Sequence, residues 1–222
     1  DHRDLPRLIR RQRQMCIRDS CYAGLGRSGV VAAAYLARVY GMEGAEAVGA
    51  VREARPGAVG AREQESVVRA YAYAVKVLGP EALGLLLERA AAAGWGSCHP
   101  REASRAVHLA VRAGEALELG SGCLALLLSS VLRKVCSLEV PPGSRARCSN
   151  RKVVDAVAEL VKPLAENFDK VVDLEIDAEA DHVFLELFCT LPCPDTVEEC
   201  SRRAAKLRGV LRKDVVVEEV PG

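Results

Sequence analysis

The residues best able to do chemistry lie in one run, Cys21-Tyr22-Ala23-Gly24-Leu25-Gly26-Arg27-Ser28-Gly29, where a cysteine and an arginine flank a glycine-rich loop. Few side chains screen the backbone of this loop, so successive N–H groups can converge on an anion, and such a nest before a helix is a dianion site. Arg27 adds a planar, permanently charged fork that matches two phosphate oxygens. The same positive field favours a thiolate, so Cys21 is expected to be ionised near neutral pH. A thiolate held beneath a phosphorus atom is a nucleophile for covalent catalysis.

The loop needs rigid elements on either side. Downstream, Val31, Tyr35 and Val39 recur at helical spacing and Gly41 ends the run, which predicts a helix over 28–40 with its N-terminus on the phosphate. Met42 to about Ala54 is a second helix, stopped by Arg55-Pro56 because a residue before proline avoids the helical region. Arg62 to Leu78 is a third, with Val67, Tyr71, Val75 and Leu78 on one face and Gly79-Pro80 closing it. Upstream the pattern fails. Arg10 to Ser20 has neither the apolar run nor the alternation of a strand. Met15 to Ser20 reads as a translated sequencing-adapter remnant, so residues 9–20 are taken as an artefact joined to a genuine gene, and 1–20 as artefact or remnant N-terminus.

The loop resembles the Cys-x5-Arg-Ser/Thr signature of protein tyrosine and dual-specificity phosphatases, and is most similar to their archaeal and bacterial dual-specificity members. A second segment, Arg55-Pro56-Gly57-Ala58-Val59 followed by Arg62-Glu63-Gln64-Glu65, is similar to the family's downstream motif. Two segments in order are more specific than one loop. The resemblance covers Cys21 to about Leu78 and implies an α/β fold: the C-terminal half of a cysteine-phosphatase domain, over 21–79, with the phosphate loop followed by helices. It implies that Cys21 attacks the phosphoryl group, Arg27 binds its oxygens and Ser28 helps the thiolate leave. Tyr22, Ala23, Gly24, Leu25, Gly26 and Arg27 would form the phosphate cradle, with Gln64 as an accessory residue.

The implied reaction is phosphomonoester hydrolysis through a phosphocysteine intermediate, without metal or cofactor, on a phosphorylated protein or a small phosphomonoester. A nucleotide, inositide or RNA 5′-phosphatase of the same fold, or a module that binds phosphate without turnover, is the alternative. The chain departs from the family in three ways. Ser20 stands where a histidine is expected; the general-acid aspartate belongs farther upstream than the chain extends, and Asp1, Asp4 and Asp19 do not fill its place. The family's first strands are missing too, so apolar faces are expected to lie exposed.

Beyond Gly79 the resemblance stops. Glu81 to Ala93, Pro100 to Ala113 (ended by Gly114) and Leu124 to Val135 read as helices, making 80–140 a helical extension or a small domain. A linker over 141–150, with Pro141-Pro142-Gly143, leads to a small α+β module over 151–222. There a helix from Arg151, capped by Ser149 or Asn150, is bent or ended by Pro163. A hairpin of 172–176 with 183–188, a helix through Val197, Cys200, Ala204, Leu207 and Leu211, and a strand over 215–220 complete it. With no catalytic motif, this module is expected to be accessory or to form a homodimer.

Composition narrows the class. The 222 residues are half apolar, enough for a sizeable core, and the net charge of +1 argues against a dedicated nucleic-acid binder. No run has the length and apolarity of a membrane span or a signal peptide, which predicts a cytoplasmic protein with no membrane partner. Nine cysteines at irregular spacings do not read as a secreted disulfide framework, although scarce Asn and Gln suggest a thermophile, where one or two intracellular bridges are admissible. Cys189, Cys193 and Cys200 lack a paired zinc spacing and read as buried thiols; Cys98-His99 with His108 is a weaker metal reading still. Asp173, Glu175 and Asp177 read as a solvated strand face, Trp95 as a packing anchor in a turn, and Arg145, Arg147, Arg151 and Lys152 as a surface basic patch.

Overall fold

The computed structural model describes residues 25–142, 147–167, 170–179, 181–190 and 192–221. The chain forms two compact units, Asp1–Ala72 and Tyr73–Gly222. The fold is mixed α/β and mostly helical, with eight helices and one three-stranded sheet among the described residues.

In the first unit, α1 (Gly26–Tyr40) and α2 (Gly44–Ala54) precede α3 (Arg62–Leu78), which crosses the division between units. Gly41, left-handed at φ 68°, ends α1. The buried face of α1 is Gly29, Ala33 and Ala37, whereas Val31, Tyr35 and Val39, which marked the helix in the sequence, are exposed. The core is completed by Ala47, Val48, Val51, Ala58, Val59, Val68 and Ala72. Small side chains bring these backbones close. On α3, Val68, Ala72 and Val75 are buried and Val67 is 41% exposed, so the buried face is rotated from the expected one.

The second unit is built on larger side chains. Helices α4 (Pro80–Ala92), α5 (Pro100–Ala116), α6 (Ser121–Cys136) and α7 (Arg151–Glu166) precede strands β1 (Val171–Ala178) and β2 (His182–Cys189), helix α8 (Pro194–Leu211) and strand β3 (Asp214–Pro221). His99 and Glu102 form a reciprocal capping box at the start of α5. Gly114 does not end α5. The helix runs two residues further, and a Cβ at position 114 would lie 2.7 Å from Leu124 Cδ1, so glycine is there to let α6 approach. Tyr73 Oη lies 3.0 Å from both the Gly114 and Leu119 carbonyls, which share its single O–H proton at this turn.

Asn150 occupies the N-cap of α7 without a side-chain hydrogen bond, and Pro163 neither ends the helix nor stops it short of Glu166. Proline this near the C-terminus removes one N–H, while its own carbonyl accepts from Asn167 N and Nδ2. Leu109, Leu124, Leu127, Leu128, Leu132, Leu160 and Leu164 are fully buried in the helices, as are Leu174, Leu185 and Leu187 on the strands. Each contributes about 1.5–3 kcal/mol of burial.

The sheet order is β1-β2-β3. The β1–β2 hairpin is antiparallel as expected, with a bulge between Val171 and Asp173. Strand β3 runs parallel to β2, which a crossover through α8 permits. Six of the nine cysteines are paired, as Cys98–Cys136, Cys123–Cys148 and Cys189–Cys193. This corrects both the reading of irregular spacings and that of Cys189 and Cys193 as buried thiols, since the end of β2 and the N-cap of α8 lie close enough to be bridged. In a chain-entropy account, bridges spanning 38, 25 and 4 residues stabilise by about 4, 3.5 and 2 kcal/mol respectively. Cys200 is the buried free thiol expected, its pKa pushed up to about 12 chiefly by burial.

Candidate functional site

The sequence motifs of the first unit meet at the start of α1. Leu25 is the N-cap, with no side-chain cap, and no acidic residue lies in the first turn. The helix end therefore keeps its positive character. Arg27 is exposed and Ser28 half-buried in this turn. Cys21, Tyr22, Ala23 and Gly24 lie outside the described residues, as do Ser20 and the aspartates before it.

Against this turn packs the second motif. The Leu25 carbonyl accepts from Val59 N at 3.2 Å, and Gly29 faces Ala58 and Val59, where an added Cβ would meet the Val59 backbone nitrogen at 3.2 Å. The connection between α2 and α3 is held from its other side. Arg52 Nη2 donates to the Val59 carbonyl at 2.7 Å and pairs with Glu65 at 2.8 Å, while Ala58 N closes a turn onto Arg55 O. Both backbone groups of Val59 are thus satisfied although its φ is 52°. A fully buried β-branched residue in the left-handed region costs on the order of 1–3 kcal/mol, and surrounding contacts must hold it there.

Gln64, in the first turn of α3, completes the arrangement. A Cβ on Gly26 would lie 2.7 Å from Gln64 Nε2, so the amide rests directly on the loop backbone. Its Oε1 is buried with no hydrogen-bond partner among the described residues. A buried acceptor without a partner is uncommon in a folded protein and calls for a reason. The structure therefore brings Leu25, Gly26 and Gln64 together, with Arg27 and Ser28 on the same turn.

The second unit holds a polar cluster that sequence reasoning missed. Asp173, expected on a solvated face, is 1% exposed; Glu175 is half-buried and Asp177 exposed. His108 Nε2 lies 3.3 Å from Asp173 Oδ1, and Arg112 approaches Asp173 at 4.0 Å and Glu175 at 3.7 Å, while also pairing with Glu115. Burial lowers the pKa of His108, opposed by its hydrogen bond to Asp173. The signal was present in His108 and Arg112, four apart on the buried face of α5, but which strand residue meets them is a tertiary contact that spacing alone does not give. Cys98 is bridged and His99 caps α5, so neither joins His108 in a metal set. Trp95 sits half-buried in a turn at φ 63°, and Arg147, Arg151 and Lys152 are exposed as read, with Arg145 outside the described residues.

A pocket of about 620 Å³ lies between α6 and α7, lined among others by Ser129, Ser130, Arg133, Glu139, Arg151 and Asp155. Ser129 Oγ donates to its own helix at Ala125 O, 3.0 Å away, so this hydroxyl is not aligned with a base. No single helix among the described residues is long and apolar enough to cross a membrane. No protein-family model, curated protein or solved structure matches the chain.

Proposed function

We propose that the first unit belongs to a cysteine-dependent phosphomonoester hydrolase that resembles the dual-specificity protein phosphatases. The reading is carried by one observation: the two sequence segments that made the resemblance pack against each other, with Gln64 on Gly26 and Val59 N on Leu25 O. Cys21 Sγ attacks phosphorus, the P–O bond to the leaving group breaks, and the phosphocysteine is then cleaved by water to thiol and inorganic phosphate. Arg27 and the N–H groups at the start of α1 neutralise the phosphoryl oxygens, which gain most from preorganised donors in the transition state. Ser28 donates to the departing thiolate. Substrates are phosphorylated side chains or small phosphomonoesters. Without an identified general acid, aryl phosphates with good leaving groups turn over best.

The test is hydrolysis of an aryl phosphate by the wild-type chain and by C21S and R27A variants, with and without vanadate. Vanadate-sensitive turnover abolished by C21S supports the reading, and R27A should reduce kcat/KM by about a hundredfold or more. Turnover that survives C21S overturns it. Phosphate binding that depends on Arg27 without any turnover assigns the unit instead to a phosphate-binding module.

A further inference from the structure

Where β2 ends, three side chains with metal-binding atoms converge from three elements. Cys189 closes β2, Cys193 is the N-cap of α8, and Glu219 lies near the end of β3; their sulfur and oxygen atoms all lie within 4.8 Å of one another. Topology makes the convergence. In the parallel β2–β3 ladder Cys189 pairs with position 221, so Glu219, two residues earlier, sits on the same face of the sheet as Cys189. Both cysteines are buried and Glu219 is exposed, so the group is closed on the protein side and open on one. Glu219 Oε2 already accepts from Cys193 N at 3.2 Å, which fixes its carboxylate beside the sulfurs.

We propose that this corner is a redox-gated site for a thiophilic divalent cation such as Zn²⁺. In the oxidised chain the two sulfurs are joined to each other. A dithiol reductant gives two electrons and two protons to the bridge and is itself oxidised to a disulfide, leaving Cys189 and Cys193 as thiols. The cation displaces both thiol protons to solvent and binds two thiolates and the Glu219 carboxylate, with water in the fourth position. Two sulfurs and one oxygen are a donor set that zinc accepts at about 2.3 and 2.0–2.2 Å.

Three features fit this role better than that of a permanent brace. The bridge closes only 4 residues, against 38 and 25 for the other two, so it constrains the unfolded chain least. Cys193 stands at the N-terminus of an 18-residue helix, where the backbone dipole favours a thiolate. The Cα atoms of the pair are 6.5 Å apart, against 4.8 and 4.6 Å in the other bridges, so the reduced sulfurs can separate around an ion by rotation of their side chains. Cys200, the free thiol, is held protonated by burial and would not compete.

The experiment is titration of the full chain with Co²⁺ as a spectroscopic stand-in for zinc, in oxidised form and after reduction followed by removal of the reductant. Reduced wild type should take up one Co²⁺ with a thiolate-to-metal charge-transfer band and four-coordinate d–d bands, displaced by Zn²⁺. Oxidised wild type should show neither. The C189S/C193S variant, reduced alongside, keeps the other cysteines and should lose the bands, while E219Q should weaken Co²⁺ by about tenfold or more. Should the double variant fail to fold, E219Q, an exposed substitution, decides. Bands absent from the reduced wild type, retained in C189S/C193S, or unmoved in affinity by E219Q overturn the proposal.

Discussion

Around α1 and α2 the buried side chains are alanines and valines; α6 buries Leu124, Leu127, Leu128 and Leu132, and α7 adds Leu160 and Leu164 among its valines and alanines. The first unit holds no disulfide among its described residues, and the second holds three. On the function proposed above, the difference would follow from what the first unit positions: a site made of backbone N–H groups needs main chains to approach closely, which alanine and glycine permit and leucine prevents. The second unit buries larger side chains and links them covalently.

The largest effect expected from this contrast is on the long bridges. Replacing Cys98, Cys136, Cys123 and Cys148 by serine should cost the second unit about 2–5 kcal/mol per bridge. Urea denaturation read by amide exchange would show protection lost in α5, α6 and α7, and least change in α1 and α2. Equal loss in both units would break the comparison.

Core substitutions of opposite sense sharpen it. Leu124 is fully buried against Gly114, so Leu124→Ala should destabilise by about 2–5 kcal/mol. Ala33 is fully buried in the small-residue core, and Ala33→Leu should cost about 1–3 kcal/mol by overpacking. A neutral Ala33→Leu would mean that the first unit has space the structure does not show.

A smaller effect should come from pH. His108 is depressed by burial below its ordinary 6.5, so in the window under 6.5 the unfolded chain binds the proton first. Stability is then fully present above that value and falls as pH drops through it towards the folded pKa. Asp173, Arg105 and Arg112 surround the ring and set how far the fall extends. His108→Gln should flatten thermal stability between pH 6.5 and acid in the second unit; a slope unchanged by this variant would assign the effect to carboxylates.

Much of the architecture was legible because periodicity and punctuation agreed. Arg62 to Leu78 is bounded as its apolar spacing and Gly79-Pro80 imply, and the hairpin and final strand lie where alternation placed them. What failed depended on tertiary contacts. The face of α1 could not be chosen between Val31-Tyr35-Val39 and Gly29-Ala33-Ala37, because burial there is decided by close approach and not by hydrophobicity. Gly114 and Pro163 are helix breakers by propensity, overridden by a neighbouring leucine and by nearness to a helix end. Asp173 was misread because only a partner pair on α5 makes its burial tolerable. The cysteine pairings needed the fold itself, since spacing alone does not define connectivity. Of the site, Gln64 beside the loop was legible through the resemblance, while the left-handed Val59 that holds the connection was not.

The smallest change in stability, and the most diagnostic, is expected at Gln64. If its Oε1 is left without a partner for the sake of a ligand, then Gln64→Leu removes a buried unsatisfied acceptor while keeping the side chain's volume. An unsatisfied buried group costs about 1–3 kcal/mol, so the variant should melt at the same temperature or higher. Its kcat/KM for an aryl phosphate should nevertheless fall by about tenfold, the equivalent of one hydrogen bond at the site. Stability and turnover moving in opposite directions would mark Gln64 as retained for function at the fold's expense. Were both to fall together, Gln64 would be a packing residue of the small-residue core, and the asymmetry between the two units would be one of construction alone.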